Sequence, residues 1–507
     1  MTTFTTPTRR TDRTTGLHYA ETPVRQRTVL TCGSWRRVTR RIVCGLTCAL
    51  TVSSLLMPSI SFAAERVEVD GNTYNAGTAA GDGSTWAWDG ADDMTLNGYN
   101  GGGIAAYGKL NVSYEGNNTV ANDEGDGISV VDGANEGAEL NISGTGTLTA
   151  TAEGNALYSE GDMTISGTGT VTAKGAGAEG ILADGDITIT GGGTVDARSE
   201  QDCGIVAEET LTVSNSTLTA QGFGSGIYAF DGLTIDAATV RAYAYPARED
   251  SPAAIFTDEG DITIKNGSLV HAYAEGENAA GISSHNFYPG GSGGRIFISD
   301  STVEAIAHYI NRDNGNQPLP PICYSDFVVV EPDATARTFG IIAITENGLT
   351  PATISITRSR VTAEGDTAAI LAVVNSGDGS ISGTIDIVDS IIETPDGGRI
   401  CDVHFVDNET DDILHQRGQT IGTASDVITD LYSDAIAKRA VIVPVDTPPA
   451  KPESKPKVTT AAATIEHVNA KDALAATGDA SMMGAVAAAI TGMAAVVAGI
   501  FTSRKRS

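Results

Sequence analysis

A three-part phrase of short hydrophobic segments returns along most of the chain and constrains the fold more than any other feature. Each unit has a Gly-Ile type phrase, then an alternating triplet such as Ile187-Thr188-Ile189, then a phrase such as Val195-Asp196-Ala197. The first phrase recurs at residues 104, 128, 157, 181, 205, 227, 255, 282, 341 and 370. Most steps are 22 to 29 residues long. Three short strands per unit without helical periodicity predict a parallel β-solenoid with three sheets and about ten coils.

The alternation inside each unit predicts which side chains are buried. Successive side chains of a strand point to opposite faces, so the aliphatics of Met163-Thr164-Ile165 enter a core while the central Thr meets water. Glycines at the corners, such as Gly185 and Gly232, permit the positive φ of a sharp turn. An antiparallel β-sandwich is the alternative fold, since it is also built from short alternating strands.

The step from Ile282 to Ile341 is longer than the others. We interpret it as two coils with a long loop between them, and place an irregular insertion at about 284–338. Such an insertion is either a binding loop or a tolerated loop without function. At the ends of the solenoid, Trp86 and Trp88 are expected in an N-terminal cap, and residues 426–441 are expected to form an amphipathic cap helix.

Acidic residues dominate the chain, which has 63 Asp and Glu, 32 Lys and Arg and a formal net charge of −31. Such a surface repels nucleic acid and anionic lipid, so neither is expected as a partner. Cys203, Cys323 and Cys401 are the cysteines of the body. An odd, sparse set is no disulfide framework, and the spacing does not fix a pairing for the single bridge it allows.

The N-terminal segment predicts export. Four arginines between residues 36 and 41 stand before the apolar run 42–60, and the small residues Ala63 and Ala64 follow. This order is typical of a secretory signal peptide that is cleaved after Ala63 or Ala64. The alternative is an uncleaved membrane span, which the break at Pro58 disfavours.

The C-terminal segment predicts a membrane span. Residues 482–501 are almost entirely apolar and long enough to cross a bilayer as a helix. Arg504, Lys505 and Arg506 follow, and a basic tail stays cytoplasmic, so the preceding chain is expected outside the cell.

The pentapeptide Leu474-Ala475-Ala476-Thr477-Gly478 lies shortly before this span. Pentapeptide, span and basic tail together resemble the Leu-Pro-x-Thr-Gly sorting signals that sortases read in Gram-positive bacteria. The resemblance implies cleavage between Thr477 and Gly478 and covalent linkage to cell-wall peptidoglycan. Ala475 departs from the usual Pro, which supplies a fixed bend. A retained membrane anchor is the alternative.

These observations divide the chain into six parts. They are a signal peptide at 1–63, the N-terminal cap at 64–100, the β-helix at 101–425, the cap helix at 426–441, a Pro- and Lys-containing stalk at 442–473, and the sorting signal at 474–507.

Over about 66–425, the Gly-Ile, Ile-Thr-Ile and Val-Thr-Ala phrases resemble the pectin-lyase-like β-helices, and more narrowly surface proteins with carbohydrate-binding β-helix domains. The resemblance implies an all-β, single-stranded, right-handed parallel β-helix. The family includes polysaccharide lyases, hydrolases, sugar binders and adhesins, so the fold does not choose the function.

An enzyme of this shape needs carboxylates that hold Ca²⁺ beside a base, or two or three acids that converge on one bond. No such constellation emerges from the sequence. Asp162, Asp186 and Asp261 recur at the corner before the triplets, where they are weak candidates for Ca²⁺ ligands; the expected role is a turn residue that bonds its own backbone. A calcium-dependent polysaccharide lyase or glycosidase is therefore the alternative function.

Aromatic residues around the irregular coils are the candidates for ligand contact, because flat rings pack on sugar faces. They are Tyr243, Tyr245, Phe287, Tyr288 and Tyr309. Packing beneath the loop is the alternative role. We expect a cell-surface, wall-anchored, non-catalytic binding or adhesion protein whose partners are sortase, peptidoglycan and a glycan or host-surface ligand. A structural spacer without a ligand is the second alternative.

Overall fold

The computed structural model describes residues 64–133, 137–245, 252–276, 278–286, 294–309, 338–345, 350–375, 381–406, 415–422, 427–428 and 436–445. These residues form 40 strands and no helix. The strands lie in three sheets of 15, 13 and 12 strands, which we call sheets 1, 2 and 3 in the order in which the chain visits them.

Sheet 1 contains, in spatial order, β2 (Asn72–Asn75), β1 (Arg66–Val69), β7 (Ile104–Tyr107), β10 (Ile128–Val131), β13 (Leu157–Ser159), β16 (Ile181–Ala183), β19 (Ile205–Ala207), β22 (Ser225–Ala229), β25 (Ala253–Thr257), β28 (Ala280–Asn286), β31 (Phe339–Thr345), β34 (Ala368–Asn375), β38 (His415–Gly422), β37 (Arg399–Val406) and β39 (Val427–Ile428).

Sheet 2 contains β3 (Ala80–Gly81), β4 (Trp86–Trp88), β5 (Asp93–Asn97), β8 (Lys109–Glu115), β11 (Glu139–Gly144), β14 (Asp162–Gly167), β17 (Ile187–Ile189), β20 (Thr210–Ser214), β23 (Gly232–Asp236), β26 (Asp261–Lys265), β29 (Arg295–Ser299), β32 (Thr353–Thr357) and β35 (Thr384–Val388).

Sheet 3 contains β36 (Ser390–Thr394), β40 (Arg439–Pro444), β33 (Arg360–Gly365), β30 (Thr302–His308), β27 (Leu269–Glu275), β24 (Thr239–Tyr245), β21 (Thr217–Phe223), β18 (Thr194–Ser199), β15 (Thr170–Gly175), β12 (Thr147–Ala152), β9 (Asn117–Asn122) and β6 (Asn100–Gly101).

Strands β7 to β33 pass through sheets 1, 2 and 3 in turn, three to a coil, and so form nine coils of a β-solenoid. Neighbouring coils pair in parallel in all three sheets, as β16 pairs with β19 and β17 with β20. The predicted parallel, three-sheet arrangement is therefore confirmed within the described residues, and the antiparallel sandwich is excluded for them.

The aliphatic residues of the first phrase form one continuous column inside the solenoid. Ile181, Ile205 and Ile227 are direct register partners in β16, β19 and β22, and each is fully buried. The column runs from Ile104 to Ile370. Because burying one such side chain is worth about 1.5–3 kcal/mol, the stack rather than any single coil stabilises the fold.

Antiparallel strands close the N-terminal end. β1 pairs antiparallel with both β2 and β7, and β4 pairs antiparallel with β3 and β5. Trp88 on β4 is almost fully buried, and its Nε1 donates to the carbonyl of Ala91 at 2.9 Å. Trp86 packs edge-on against Tyr74, with ring centroids 5.4 Å apart. Both tryptophans thus make contacts within the N-terminal end of the fold, where the sequence predicted a cap.

The C-terminal end is also closed by antiparallel strands, and here the sequence-based prediction was wrong. The described residues of the predicted helix 426–441 are extended: Val427–Ile428 is β39, and β40 begins at Arg439. β40 is inserted between β33 and β36 and runs antiparallel to both, while β38 lies antiparallel to β34. Pairing with the open end of the solenoid therefore outweighs the local helical periodicity.

The step from Ile282 to Ile341 is one coil rather than two. These residues are register partners in the neighbouring strands β28 and β31, and β29 and β30 complete the coil between them. Part of the predicted insertion 284–338 is thus regular strand. Cys203 and Cys401 are buried, and Cys323 lies outside the described residues.

Candidate functional site

The outer face of sheet 3 changes its chemistry between the early and the later coils. In β12, β15 and β21 the outward position of the third phrase is Thr149, Thr172 and Thr219, and in β18 it is Asp196, which pairs with Arg198 of its own strand. In β24, β27 and β30 the same register column carries larger, charged or titratable side chains, namely Arg241, His271 and Glu304. The inward positions stay small, so the coil itself is unchanged.

We call the altered surface the sheet 3 patch. It consists of Arg241, Tyr243, Tyr245, His271, Tyr273, Glu275, Glu304 and His308. Alternation along the strands sends these side chains outward, since Val240, Ala242 and Ala244 point into the core.

Two hydrogen bonds hold the polar groups of the sheet 3 patch. His271 Nδ1 lies 2.8 Å from Glu304 Oε2, with 30% and 43% of the two side chains exposed. Tyr273 donates its hydroxyl to Glu275 Oε1 at 2.5 Å, and Glu275 is buried. The ring of His308 meets that of Tyr273 edge-on, with centroids 5.8 Å apart. The partly exposed members His271, Tyr273 and Glu304 are therefore held in a fixed arrangement, while Tyr243 and Glu275 are buried beneath the surface.

Burial raises the pKa of Tyr273 far above its ordinary value, and the hydrogen bond to Glu275 raises it further. The phenol consequently stays protonated and remains a donor to the carboxylate at any physiological pH. A buried carboxylate needs such a donor, because an unpaired buried charge is costly.

The structure places Tyr243 and Tyr245 two residues apart on β24, and Tyr309 directly after β30. Tyr243 is buried and is the register partner of Tyr273, while Tyr245 packs against Phe223 with ring centroids 6.2 Å apart. Tyr309 follows β30 and is buried; its backbone N–H donates to Asp366 Oδ2 at 2.8 Å. Phe287 and Tyr288 lie outside the described residues.

Sequence reasoning missed His271, Tyr273, Glu275 and Glu304. A signal for them exists in the repeat: within the third phrase, Thr gives way to other residues at the outward position. The register that places Tyr273 beside Tyr243 could be obtained by aligning the phrases of the two coils.

The corner aspartates contact the neighbouring coil, whereas the sequence predicted that they bond their own backbone. Asp162 Oδ1 accepts the backbone N–H of Asp186 at 3.0 Å, and Asp186 Oδ1 accepts the N–H of Thr210 at 2.9 Å, so each carboxylate links one coil to the next. Asp261 forms a bidentate pair with Arg295 at 2.9 and 2.6 Å, while burial raises its pKa. Asp261 lies three coils beyond Asp186, so the structure does not bring the three together.

A carboxylate group that could share a cation occurs elsewhere among the described residues, at Asp89, Asp92 and Asp93 before the first coil. Asp89 Oδ1 accepts the backbone N–H groups of Ala91 and Asp93, at 2.8 and 3.2 Å. These bonds define a turn, so this cluster of carboxylates gives no support to a Ca²⁺ site.

A groove of about 620 Å³ lies beside the N-terminal cap. Its walls include Trp86, Asn97, Ser113 and Ser143, and Glu115 is the one charged residue among the described residues that line it. Its volume falls in the range of small-ligand sites, so it must be distinguished from the sheet 3 patch in any binding experiment.

Nucleophilic catalysis requires a hydroxyl or thiol beside the base, and in the described part of the chain the group at His271 Nδ1 is the Glu304 carboxylate. Glu275 and Glu304 are offset by four residues in register, about 13 Å of strand, and each has its own partner.

The predicted span 482–501 and the pentapeptide 474–478 lie outside the described residues. Where the structure describes the chain, it contains no helix of the length and apolarity that a membrane crossing requires. Comparison with protein-family models, curated proteins and solved structures finds no match to this chain.

Proposed function

We propose that this chain is a non-catalytic surface protein whose solenoid, wound in the right-handed sense, presents the sheet 3 patch to a glycan or a host surface. The observation that carries the proposal is the column of Arg241, His271 and Glu304 on three adjacent coils, with aromatic rings beside it and a hydrogen bond between His271 and Glu304. Right-handed connection between parallel strands is the strong preference of proteins generally.

The physical basis of binding is a rigid surface with few groups left to order. Tyr273, Glu275, His271 and Glu304 are already fixed by their mutual hydrogen bonds, so little side-chain entropy is lost when a ligand arrives. Aromatic rings offer apolar contact to the flat face of a sugar, and carboxylates and imidazoles offer bonds to its hydroxyls.

Binding can be tested with the purified full chain in a mild detergent, screened against immobilised glycans with and without Ca²⁺. We expect Tyr273→Ala to weaken binding at least tenfold, which is about 1.4 kcal/mol. Tyr273→Phe keeps the ring and loses the bond to Glu275, so its loss should be smaller. Thr263→Ala, on sheet 2 of the same coil, is the control that should bind normally.

Three results would count against the sheet 3 patch. Absence of binding to every glycan removes the sugar version of the proposal. Loss of binding in Ser113→Arg, with Tyr273→Ala unaffected, moves the ligand to the groove. New reducing or unsaturated ends on a bound polysaccharide transfer the assignment to the lyase or glycosidase alternative.

We also propose that the chain is exported and anchored to the cell wall through Thr477. The support is the order of signal peptide, pentapeptide, apolar segment and basic tail in the sequence. Cells that express the Thr477→Ala variant should lose the protein from the wall fraction and accumulate it in the membrane fraction. Thr464→Ala, in the same linker, is the control. Equal wall fractions for both variants would refute sortase anchoring at this site.

A further inference from the structure

The exposed large hydrophobic side chains of the described residues are concentrated at the C-terminal end of the solenoid. They are Val388, Ile391 and Val445, with 48%, 55% and 49% of their surface exposed. Val388 ends β35, Ile391 lies in β36, and the N–H of Val445 donates to the carbonyl of Asp389 at 3.0 Å. All three therefore lie on or next to residues 388–391, so they are neighbours and not isolated surface hydrophobic residues.

The same end has open sheet edges. β35 is the last strand of sheet 2 and β36 the last of sheet 3; each has five residues and pairs with a described strand on one side only. An open edge presents backbone N–H and C=O groups to an added strand. On β35, the Gln419 side chain already accepts the N–H of Ile385 at 3.0 Å. β36 therefore has the freer edge.

The N-terminal end is different. There, sheets 2 and 3 end in the two-residue strands β3 and β6, which leave little backbone for pairing. A strand that joins sheet 2 or sheet 3 is thus expected at the C-terminal end of the solenoid.

The side chains around β36 are both apolar and acidic. Ile391 and Glu393 are exposed on one face of the strand, and Asp389, which precedes it, has 63% of its side chain exposed and lies 3.7 Å from Arg358. Residues 384–394 contain three acids and no Lys or Arg. A second copy of this chain would bring two such acidic edges together, whereas a basic strand would be attracted.

We propose that β36 is a docking edge for an extended segment of another protein, in which apolar and basic residues alternate. The added strand would pair with the free backbone of β36, set apolar side chains against Ile391 and place basic side chains near Glu393 and Asp389. This protein partner is distinct from the ligand of the sheet 3 patch.

A pair of synthetic peptides tests the proposal on the full chain in a mild detergent. One is Val-Lys repeated four times, and the other is Pro-Lys repeated four times, which has equal charge but cannot extend a sheet. We expect the Val-Lys peptide to bind at least tenfold more tightly. This preference should disappear in Ile391→Thr and in Glu393→Lys. Glu124→Lys, an equal charge reversal at an exposed turn, should retain it.

Equal binding of the two peptides, or equal losses in Glu393→Lys and Glu124→Lys, would show only non-specific attraction to an acidic protein and overturn the proposal. Because Ile391 is exposed, Ile391→Thr is expected to fold normally, which unfolding curves can verify. A concentration-dependent dimer of the wild-type chain that Ile391→Thr abolishes would instead assign the edge to self-association and overturn the choice of partner.

Discussion

Sheets 1 and 2 supply inward aliphatics to the same core, yet their outer faces differ. On sheet 1 the outward column of the middle coils is apolar, and its members Val206, Tyr228 and Phe256 are buried. On sheet 2 the outward column of the same coils is Thr, with Thr212, Thr234 and Thr263 half-buried. Apolar residues at the outward positions give sheet 1 two buried faces, whereas Thr at these positions gives sheet 2 one buried face and one face in contact with solvent.

The outer residues of sheet 1 form a second hydrophobic cluster, separate from the column inside the solenoid. It includes Val206, Tyr228, Phe256, Ile342 and Leu371. Tyr228 and Phe256 lie 5.5 Å apart between ring centroids. The contrast teaches that a side chain that points away from the core of the solenoid is not always exposed. On sheet 1 the outward residues pack into a cluster, whereas on sheet 2 they meet solvent.

The largest effect should come from truncating an outer aromatic on sheet 1. Tyr228 is 1% exposed, so Tyr228→Ala should lower the free energy of unfolding by about 3–5 kcal/mol. Thr234→Ala, on sheet 2 of the same coil, should change it by no more than about 0.5 kcal/mol. Urea unfolding of the two variants measures both. Similar losses would erase the distinction between the faces.

A pH-dependent effect should appear on sheet 1. His285 follows Ser284 on β28 and packs edge-on against Phe256, with ring centroids 5.0 Å apart. Burial lowers the pKa of His285 to about 4, from an ordinary value of 6.5. Between pH 6.5 and 4 the unfolded chain binds a proton at His285, whereas the folded chain does not. The stability is therefore complete above pH 6.5 and falls as the pH drops toward 4, by up to about 3 kcal/mol.

The difference between wild type and His285→Leu isolates this contribution from that of the carboxylates. The variant should lose less stability than wild type between pH 6.5 and 4, measured by urea unfolding at each pH. Ser283→Ala, on the same strand, removes no titratable group and should follow the wild-type profile. Parallel profiles for His285→Leu and wild type would contradict the assignment.

Exchanging Val and Thr between the outward positions of sheets 1 and 2 should destabilise the protein less than Tyr228→Ala does. Only the change on sheet 1 should lower the free energy of unfolding clearly. Val206 is fully buried on β19, so Val206→Thr places a hydroxyl in an apolar cluster and should cost about 1–3 kcal/mol. Thermal unfolding measures the loss. If the hydroxyl costs nothing, the outer cluster of sheet 1 is hydrated.

The reciprocal exchange should have the smallest effect. Thr212 occupies the outward position of β20 in the same coil, where a methyl group replaces a hydroxyl that is already half in water. Thr212→Val should therefore change the unfolding free energy by about 0.5 kcal/mol or less, since Val and Thr are both favourable in strands. A loss of unfolding free energy as large as that of Val206→Thr would show that the outward residues of sheet 2 are packed like those of sheet 1.

Much of the solenoid could be predicted from the sequence, because its periodicity is a local property repeated many times. The recurring Ile positions became a register column, and the central Thr of each triplet points outward. The outer cluster of sheet 1 was missed, although Ile205-Val206-Ala207 has an apolar central residue where the triplets have Thr. The phrases share their length and spacing, and this similarity conceals the difference between a central Val and a central Thr.

The ends and the sheet 3 patch were less predictable for a different reason. The extended conformation of β40 is determined by its two partner strands. The local sequence of residues 439–444 does not predict an insertion between β33 and β36. Likewise, Tyr273 and Tyr243 are 30 residues apart in the chain and meet only through register. Such contacts follow from stacking, which single phrases do not encode.

The position of β40 has a mechanical consequence. Every force applied to the chain beyond Val445 reaches the solenoid first through β40, whose residues are bonded to β33 on one side and β36 on the other. A pull along the strand loads both rows of hydrogen bonds at once, whereas a strand at a sheet edge would have one row to resist the same pull. β40, the last strand of the described residues, thus resists such a pull through two partner strands, and pulling single molecules from the C-terminus would measure the force that it withstands.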